Sequence, residues 1–281
     1  MVTPPPPPPT VTNLAIRFFG NGVAAPDLDR IKIRIDDPNN NNPGPPIDVG
    51  DDDLTIEFWL MANAGDNSAG AVTCGSNNNW ISGNIVIDRD RFNQGRNYGL
   101  SIAGGVIVFG VFSANESFTV CGTSNVLDGQ WHHIAVQRRF SDGELWVYVD
   151  GELDIQDTGP DGDISYPDDG VPGDFCGGPC INSDPFVVLG AEKHDAGPAS
   201  PSYSGFIDEL RFSTVLRYSS TFVVPGRFAP DADTAALFHF DEGSGTDIVD
   251  ATTGNRSPGV LQFGGNPAGP VWEASTAPTG M

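Results

Sequence analysis

Apolar side chains in this sequence recur at every second position, and no segment sustains a helical period. Leu14, Ile16 and Phe18 alternate with Ala15, Arg17 and Phe19, and Ile31, Ile33 and Ile35 alternate with Lys32 and Arg34. Such spacing turns one face of a segment to a core and the other away from it, which defines a half-buried strand. The same reading predicts strands at Leu54–Leu60, Asn84–Asp88, Tyr98–Ile102, Val106–Phe112, Ser117–Cys121, Trp131–Arg138, Glu144–Val149, Phe186–Leu189, Phe206–Phe212, Ala235–Phe240 and Val260–Phe263. Gly104-Gly105, Asp128-Gly129, Asp142-Gly143 and Asp150-Gly151 supply turns that tolerate positive φ. Many short strands joined this way give an all-β chain, a two-sheet antiparallel β-sandwich of jelly-roll type.

Composition narrows the partners. Fourteen Lys and Arg against 37 Asp and Glu leave a formal charge of −23, so neutralising phosphates is not this chain's binding mode and nucleic acid is excluded. No run of 18 apolar residues is present, and the N-terminus lacks a basic region followed by an apolar one, so neither membrane insertion nor a signal of its own is expected. Pro4 to Pro9 read as an extended spacer. The expected organisation is a Pro-rich linker over 1–12, one domain over 13–275 and a tail over 276–281, a piece of a larger surface protein. Two stretches rich in Asn, Asp, Gly and Pro, Asp36 to Asp53 and Asp154 to Asp184, are too polar for a core and are expected to be surface loops.

LTIEFWLMA at 54–62, DGQWHHIAVQRR at 128–139, GELWVYVDGEL at 143–153, FVVLGAE at 186–192 and GFIDELRFSTVLR at 205–217 together resemble the laminin-G-like, concanavalin A-like jelly-roll superfamily, to which pentraxins belong. Their order and spacing match from about residue 13 to residue 228. The segment ending at Asn255, ALFHFDEGSGTDIVDATTGN, resembles one that opens many bacterial members and here closes the domain. The superfamily hosts lectins, adhesion modules and glycoside hydrolases, so the resemblance fixes fold more tightly than function.

Two metal sites are implied by it. Asp208 is expected to share a face with Phe206, Leu210 and Phe212, where an unpaired carboxylate is costly. Related jelly rolls hold a structural Ca²⁺ with that aspartate and the first strand's turn, which here is Phe19-Gly20-Asn21-Gly22; an Arg or backbone N–H partner is the alternative. Glu192 and Asp195 in LGAEKHDAG resemble the pentraxin segment that supplies Ca²⁺ ligands, with one extra residue between the acids. Asn97 on a facing loop would add an oxygen donor and contact ligand with them. A solvated acidic loop is the plainer account, as it is for Asp157, Asp161, Asp163, Asp168 and Asp169, which lack the EF-hand order. His132 and His133 are neighbours on one strand, point to opposite faces and cannot share a metal.

The acids of a glycosidase are not evident. The E-x-D-x-x-E pattern is missing; Glu152 and Asp154 come nearest, on one face but without a third acid. Cys74, Cys121, Cys176 and Cys180 permit three pairings, of which Cys176–Cys180 across Gly-Gly-Pro with Cys74–Cys121 suits the turn geometry; a zinc site from all four is the alternative. The function expected from these readings is a non-catalytic extracellular or cell-surface binding module, recognising glycan or a surface or matrix protein with Ca²⁺. A laminarinase-like hydrolase and a purely structural spacer are the alternatives.

Overall fold

The computed structural model describes residues 13–21, 28–36, 41–91, 95–113, 116–168, 185–194 and 196–279. Within them the chain forms two eight-stranded antiparallel sheets stacked face to face. The first sheet runs β10 (Glu152–Thr158), β9 (Glu144–Val149), β8 (Asp128–Arg138), β3 (Leu54–Asn63), β12 (Ser204–Ser213), β1 (Leu14–Phe19) and β16 (Val271–Ala274), with β13 (Thr234–Phe238) also on β12. The second runs β14 (Asp247–Ile248), β15 (Gly259–Gln262), β2 (Arg30–Arg34), β11 (Phe186–Leu189), β4 (Asn84–Arg89), β5 (Asn97–Ala103), β6 (Val106–Ser113) and β7 (Glu116–Cys121). No helix among the described residues is long and apolar enough to cross a membrane.

The alternation read from the sequence becomes the layer between the sheets. Ile16 and Phe18 from β1, Ile31 and Ile33 from β2, Ile56, Phe58 and Leu60 from β3, and Ile134 and Val136 from β8 meet there, all without solvent exposure. Neither long polar stretch is purely surface. The first tucks Ile47 and Val49 into this core, while the second opens with β10 and later buries Ile164 and Tyr166. A few apolar anchors are enough to order a polar segment, because the remaining side chains stay hydrated while the anchors leave water.

Each outer face carries a smaller buried cluster under a covering loop. On the second sheet, Trp80 follows from the loop beginning at Cys74 and packs with Ile85, Ala103 and Val108. Cys74 is disulfide-bonded to Cys121 at the end of β7, and Gly75 bridges to Thr119, so the covering loop is fastened at its start. Cys176 and Cys180 lie outside the described residues. Closing a 47-residue separation is worth about 4 kcal/mol in the chain-entropy account. Cys74→Ser/Cys121→Ser should therefore lose about that much in urea unfolding; a loss below about 1 kcal/mol would mean that the loop is held by Trp80 burial alone.

Candidate metal and ligand site

Asn97 and Glu192, distant in sequence, converge at one end of the second sheet. Strand β4 passes its outward Asp88 and then Asp90, and β5 begins beside it with Asn97, whose Nδ2 donates to Asp90 Oδ1 at 2.7 Å. After β11, Gly190 adopts φ +92° and the chain folds back over the outer face. The Lys193 N–H donates to Asp88 Oδ2 at 2.9 Å, and Arg30 Nη1 donates to the Lys193 carbonyl at 3.2 Å. These two bonds clamp a short loop, whose flanking residues Glu192 and His194 then face Asp90.

Asp90, Glu192 and His194 each present one donor atom, all within 4.8 Å of one another. His194 Nδ1 stands 3.5 Å from Glu192 Oε1 and 3.6 Å from Asp90 Oδ2, while the His194 N–H donates to Glu192 Oε2 at 2.7 Å. Glu192 is 1% exposed and His194 7%, so the group is preformed rather than a solvated loop. Asn97 is 2% exposed, and its Oδ1 is sealed from solvent without a hydrogen-bond donor. Burial, together with the charges of Glu192 and Asp90, pushes the Asp88 carboxyl well above the usual carboxylate range. Asp195 lies outside the described residues. The sequence reading missed Asp90 and His194, although His194 sits two residues beyond Glu192 and Asp90 two beyond the predicted strand Asn84–Asp88.

The second expected set is not brought together. β1 and β12 run antiparallel with Ile16 opposite Ile207 and Phe19 opposite Ser204. Asp208 is therefore level with Ala15, and Phe19, the last residue of β1, lies about 14 Å further along at the strand rise of about 3.4 Å per residue, with Gly20 and Asn21 beyond it. Nor does Asp208 share a face with Leu210 and Phe212. The register slips between Asp208 and Arg211, with Glu209 at φ +50°, and this bulge puts Ile207, Leu210 and Phe212 into the core. Asp208 points outward under the ends of the domain, accepting from Ser275 Oγ at 2.6 Å and Asn13 Nδ2 at 3.4 Å. Its Oδ1 and Asn13 Oδ1 are buried without donors, and burial, reinforced by the Glu209 and Asp241 charges, pushes its carboxyl up to about 7. An all-oxygen set of this kind fits a hard cation such as Ca²⁺.

The carboxylate that actually holds the Gly20–Asn21 turn is Asp29. It accepts from the Phe19 N–H, and burial raises it to about 7 against the backbone donors at Phe19 and Gly20. Asn21 instead donates to the Pro267 carbonyl at 3.1 Å.

Among the described residues, two buried acids of the first sheet and the two acids nearest the hydrolase pattern all have partners. Glu57 on β3 and Glu209 on β12 have no solvent exposure, and each is paired. The register of β10 slips at Asp154, which turns to accept from the N–H and hydroxyl groups of Thr123 and Ser124, while Glu152 accepts from Thr221. The two acids thus belong to separate turns and do not form a pair across a groove.

Comparison with solved structures shows the fold. A candidate carbohydrate-binding protein from Bacteroides ovatus superposes with a TM-score of 0.56 at 15% identity, over 96% of this chain and 62% of that one. This chain thus spans less than two thirds of that protein. A SAP-like pentraxin from Limulus polyphemus gives 0.42 at 13% identity over 74% and 79%, and mouse laminin α1 domains LG4-5 give 0.44 at 12% over 72% and 42%. No curated protein matches the chain. The family model for the concanavalin A-like lectin/glucanases superfamily, Laminin_G_3, matches residues 36–177, just over half of the length. The chain belongs to that superfamily.

Proposed function

We propose that this domain is a non-catalytic extracellular binding module that recognises a glycan, or a glycan-bearing or other surface protein, through a divalent cation held by Asp90, Glu192 and His194. The observation that carries the reading is the convergence of these three side chains with Asn97 at a loop cluster on one sheet end. A cation there keeps coordination positions for ligand hydroxyls or carboxylates, whereas the chain's charge of −23 repels an anionic ligand unless the metal bridges it. The disulfide supports an oxidising compartment, and excision from a larger surface protein is part of the same proposal. Calcium, which the family resemblance implies, suits the oxygens of Asp208 and Asn13, where it would tie Asn13 to β12.

The test is a glycan array probed with metal-loaded and EDTA-treated protein, alongside a β-glucan hydrolysis assay. At least one glycan should be retained about tenfold more weakly after chelation, about 1.4 kcal/mol, with no sugar released. Binding indifferent to EDTA, or turnover of a β-glucan, would reject the proposal.

A further inference from the structure

We infer that the Asp90–Glu192–His194 site selects a zinc-class cation over Ca²⁺, an inference that rests on the reading of this site as the ligand-recognising one. Three observations lead there. The first is donor chemistry. An imidazole nitrogen stands between two carboxylates, a set that suits Zn²⁺ and other late first-row ions. Ca²⁺ instead collects six to eight oxygens, and the described residues here offer it two carboxylates and one amide.

The second is spacing. A tetrahedron with metal–ligand bonds of about 2.0–2.2 Å has edges of about 3.3–3.6 Å. The His194 Nδ1 distances to Glu192 Oε1 and Asp90 Oδ2 are 3.5 and 3.6 Å, so a small ion fits with little rearrangement. Three protein ligands among the described residues match the number zinc takes where it keeps a position for a further molecule.

The third observation concerns a residue outside the three-residue donor set. Asn97 is fixed against Asp90 through its Nδ2, yet its buried Oδ1 has no donor. A buried acceptor left unmet costs about 1–3 kcal/mol, and a cation-bound water beside Asp90 would meet it. The surrounding bonds already place the ligands. The His194 N–H fixes Glu192 Oε2 and leaves Oε1 toward the imidazole, Lys193 N–H holds Asp88, and Arg30 holds the Lys193 carbonyl. Such supporting partners are what orient metal ligands before the ion arrives.

The test titrates the EDTA-stripped full chain with ZnCl₂ and, separately, CaCl₂ in a calorimeter, using wild type, His194→Gln and the control His132→Gln. His132 bonds Asp150 through Nδ1 and Asp128 through Nε2, opposite sides of its ring, so its loss should leave zinc binding intact. Zinc affinity should fall about 10–100-fold in His194→Gln while any Ca²⁺ heat persists, and His194→Asp should shift preference toward Ca²⁺. Unchanged zinc affinity in His194→Gln, or Ca²⁺ binding abolished by it, overturns the inference. Should that variant not fold, Co²⁺ added to wild type decides: intense visible bands of a four-coordinate ion support the inference, and the pale spectrum of a six-coordinate one rejects it. Glycan binding restored by Ca²⁺ but not Zn²⁺ would defeat this inference and keep metal-dependent recognition. Glycan binding indifferent to every ion, with zinc still seated on His194, would do the reverse.

Discussion

Trp80→Ala should cost this domain about 4–5 kcal/mol in equilibrium unfolding, at the upper end for buried aromatic truncations. The indole is wholly buried and lies on a floor made by two glycines that face each other across β5 and β6, Gly99 and Gly110. A Cβ at Gly99 would stand 2.1 Å from the ring, and one at Gly110 would stand 1.8 Å from it. Neither glycine has a side chain to fill the void, so the site cannot collapse when the ring is removed. One polar handle goes too, since Trp80 Nε1 donates to Asn78 Oδ1 at 2.7 Å, while the backbone carbonyl that accepts from Ser101 Oγ remains. Gly110→Val should evict the indole and cost a similar amount, although valine is the better strand former. Because both changes remove the same contact, the double variant should lose clearly less than the sum of the two. Simple additivity would show that the floor and the ring are not one unit.

Those glycines illustrate where sequence reading stops. The strands themselves were legible: all eleven segments predicted from Leu54 onward overlap strands, two of them running past the ends at Phe238 and Gln262, because period-2 burial is a local property of the chain. So was the sorting of Trp131 and His133 to one face of β8 and Ile134 and Val136 to the other, now seen as His133 against Glu57 and Ile134 in the core. What was not local was missed. A glycine in a strand shows only that a side chain is unwelcome; the ring that excludes it comes from a separate loop. Bulges had a similar effect at Asp154 and Asp208, since one slipped residue reverses every face assignment after it.

The candidate site divides in the same manner. Asn97 and Glu192 were named from residue type and from the pentraxin-like segment, and the fold brings them to one place. Their partners stayed hidden for physical reasons. Asp90 lies at a strand end in a polar run, where an acid is ordinary, and its closeness to His194 depends on a chain reversal across about a hundred residues. Asp208 was singled out as a carboxylate in need of company, and the fold buries it beside Ser275 and Asn13. Its company was misplaced because the Gly20–Asn21 turn is held by Asp29, an acid in a segment that carries no motif.

Glu57→Ala should be about as damaging as removing Trp80, near 5 kcal/mol, because it leaves buried cations and hydroxyls without their shared acceptor. Arg211 Nε and Nη2 donate to Glu57 Oε1 at 2.9 and 2.6 Å; Tyr218 Oη donates to Oε2 at 2.6 Å, and His133 Nε2 stands 3.2 Å from it. Burial alone would push the Glu57 carboxyl up, but the hydrogen bond with His133 and the charge of Arg211 hold it below its ordinary value. A carboxylate depressed in the native state contributes stability above its unfolded pKa near 4.5, and that stability fades as pH falls through the folded value. In wild type the contribution should therefore be present at neutral pH and decline only in acid, whereas Glu57→Gln should lack it throughout. The network also fastens the covering chain after β12: Tyr218 and Phe222 stack beside it, and Phe222 and Phe228 meet the His133 ring edge-on. Truncating Glu57 should thus expose residues 214–230 to hydrogen exchange before the sheets open. Replacing Glu57, His133 and Arg211 together with apolar residues of similar volume should cost much less than Glu57→Ala, since no charge is then stranded. Urea unfolding at pH 7 and at pH 4 tests both statements. A Glu57→Ala variant within about 1 kcal/mol of wild type, or a triple variant less stable than the single one, would show that the cluster is hydrated in solution and does not pin the covering segment.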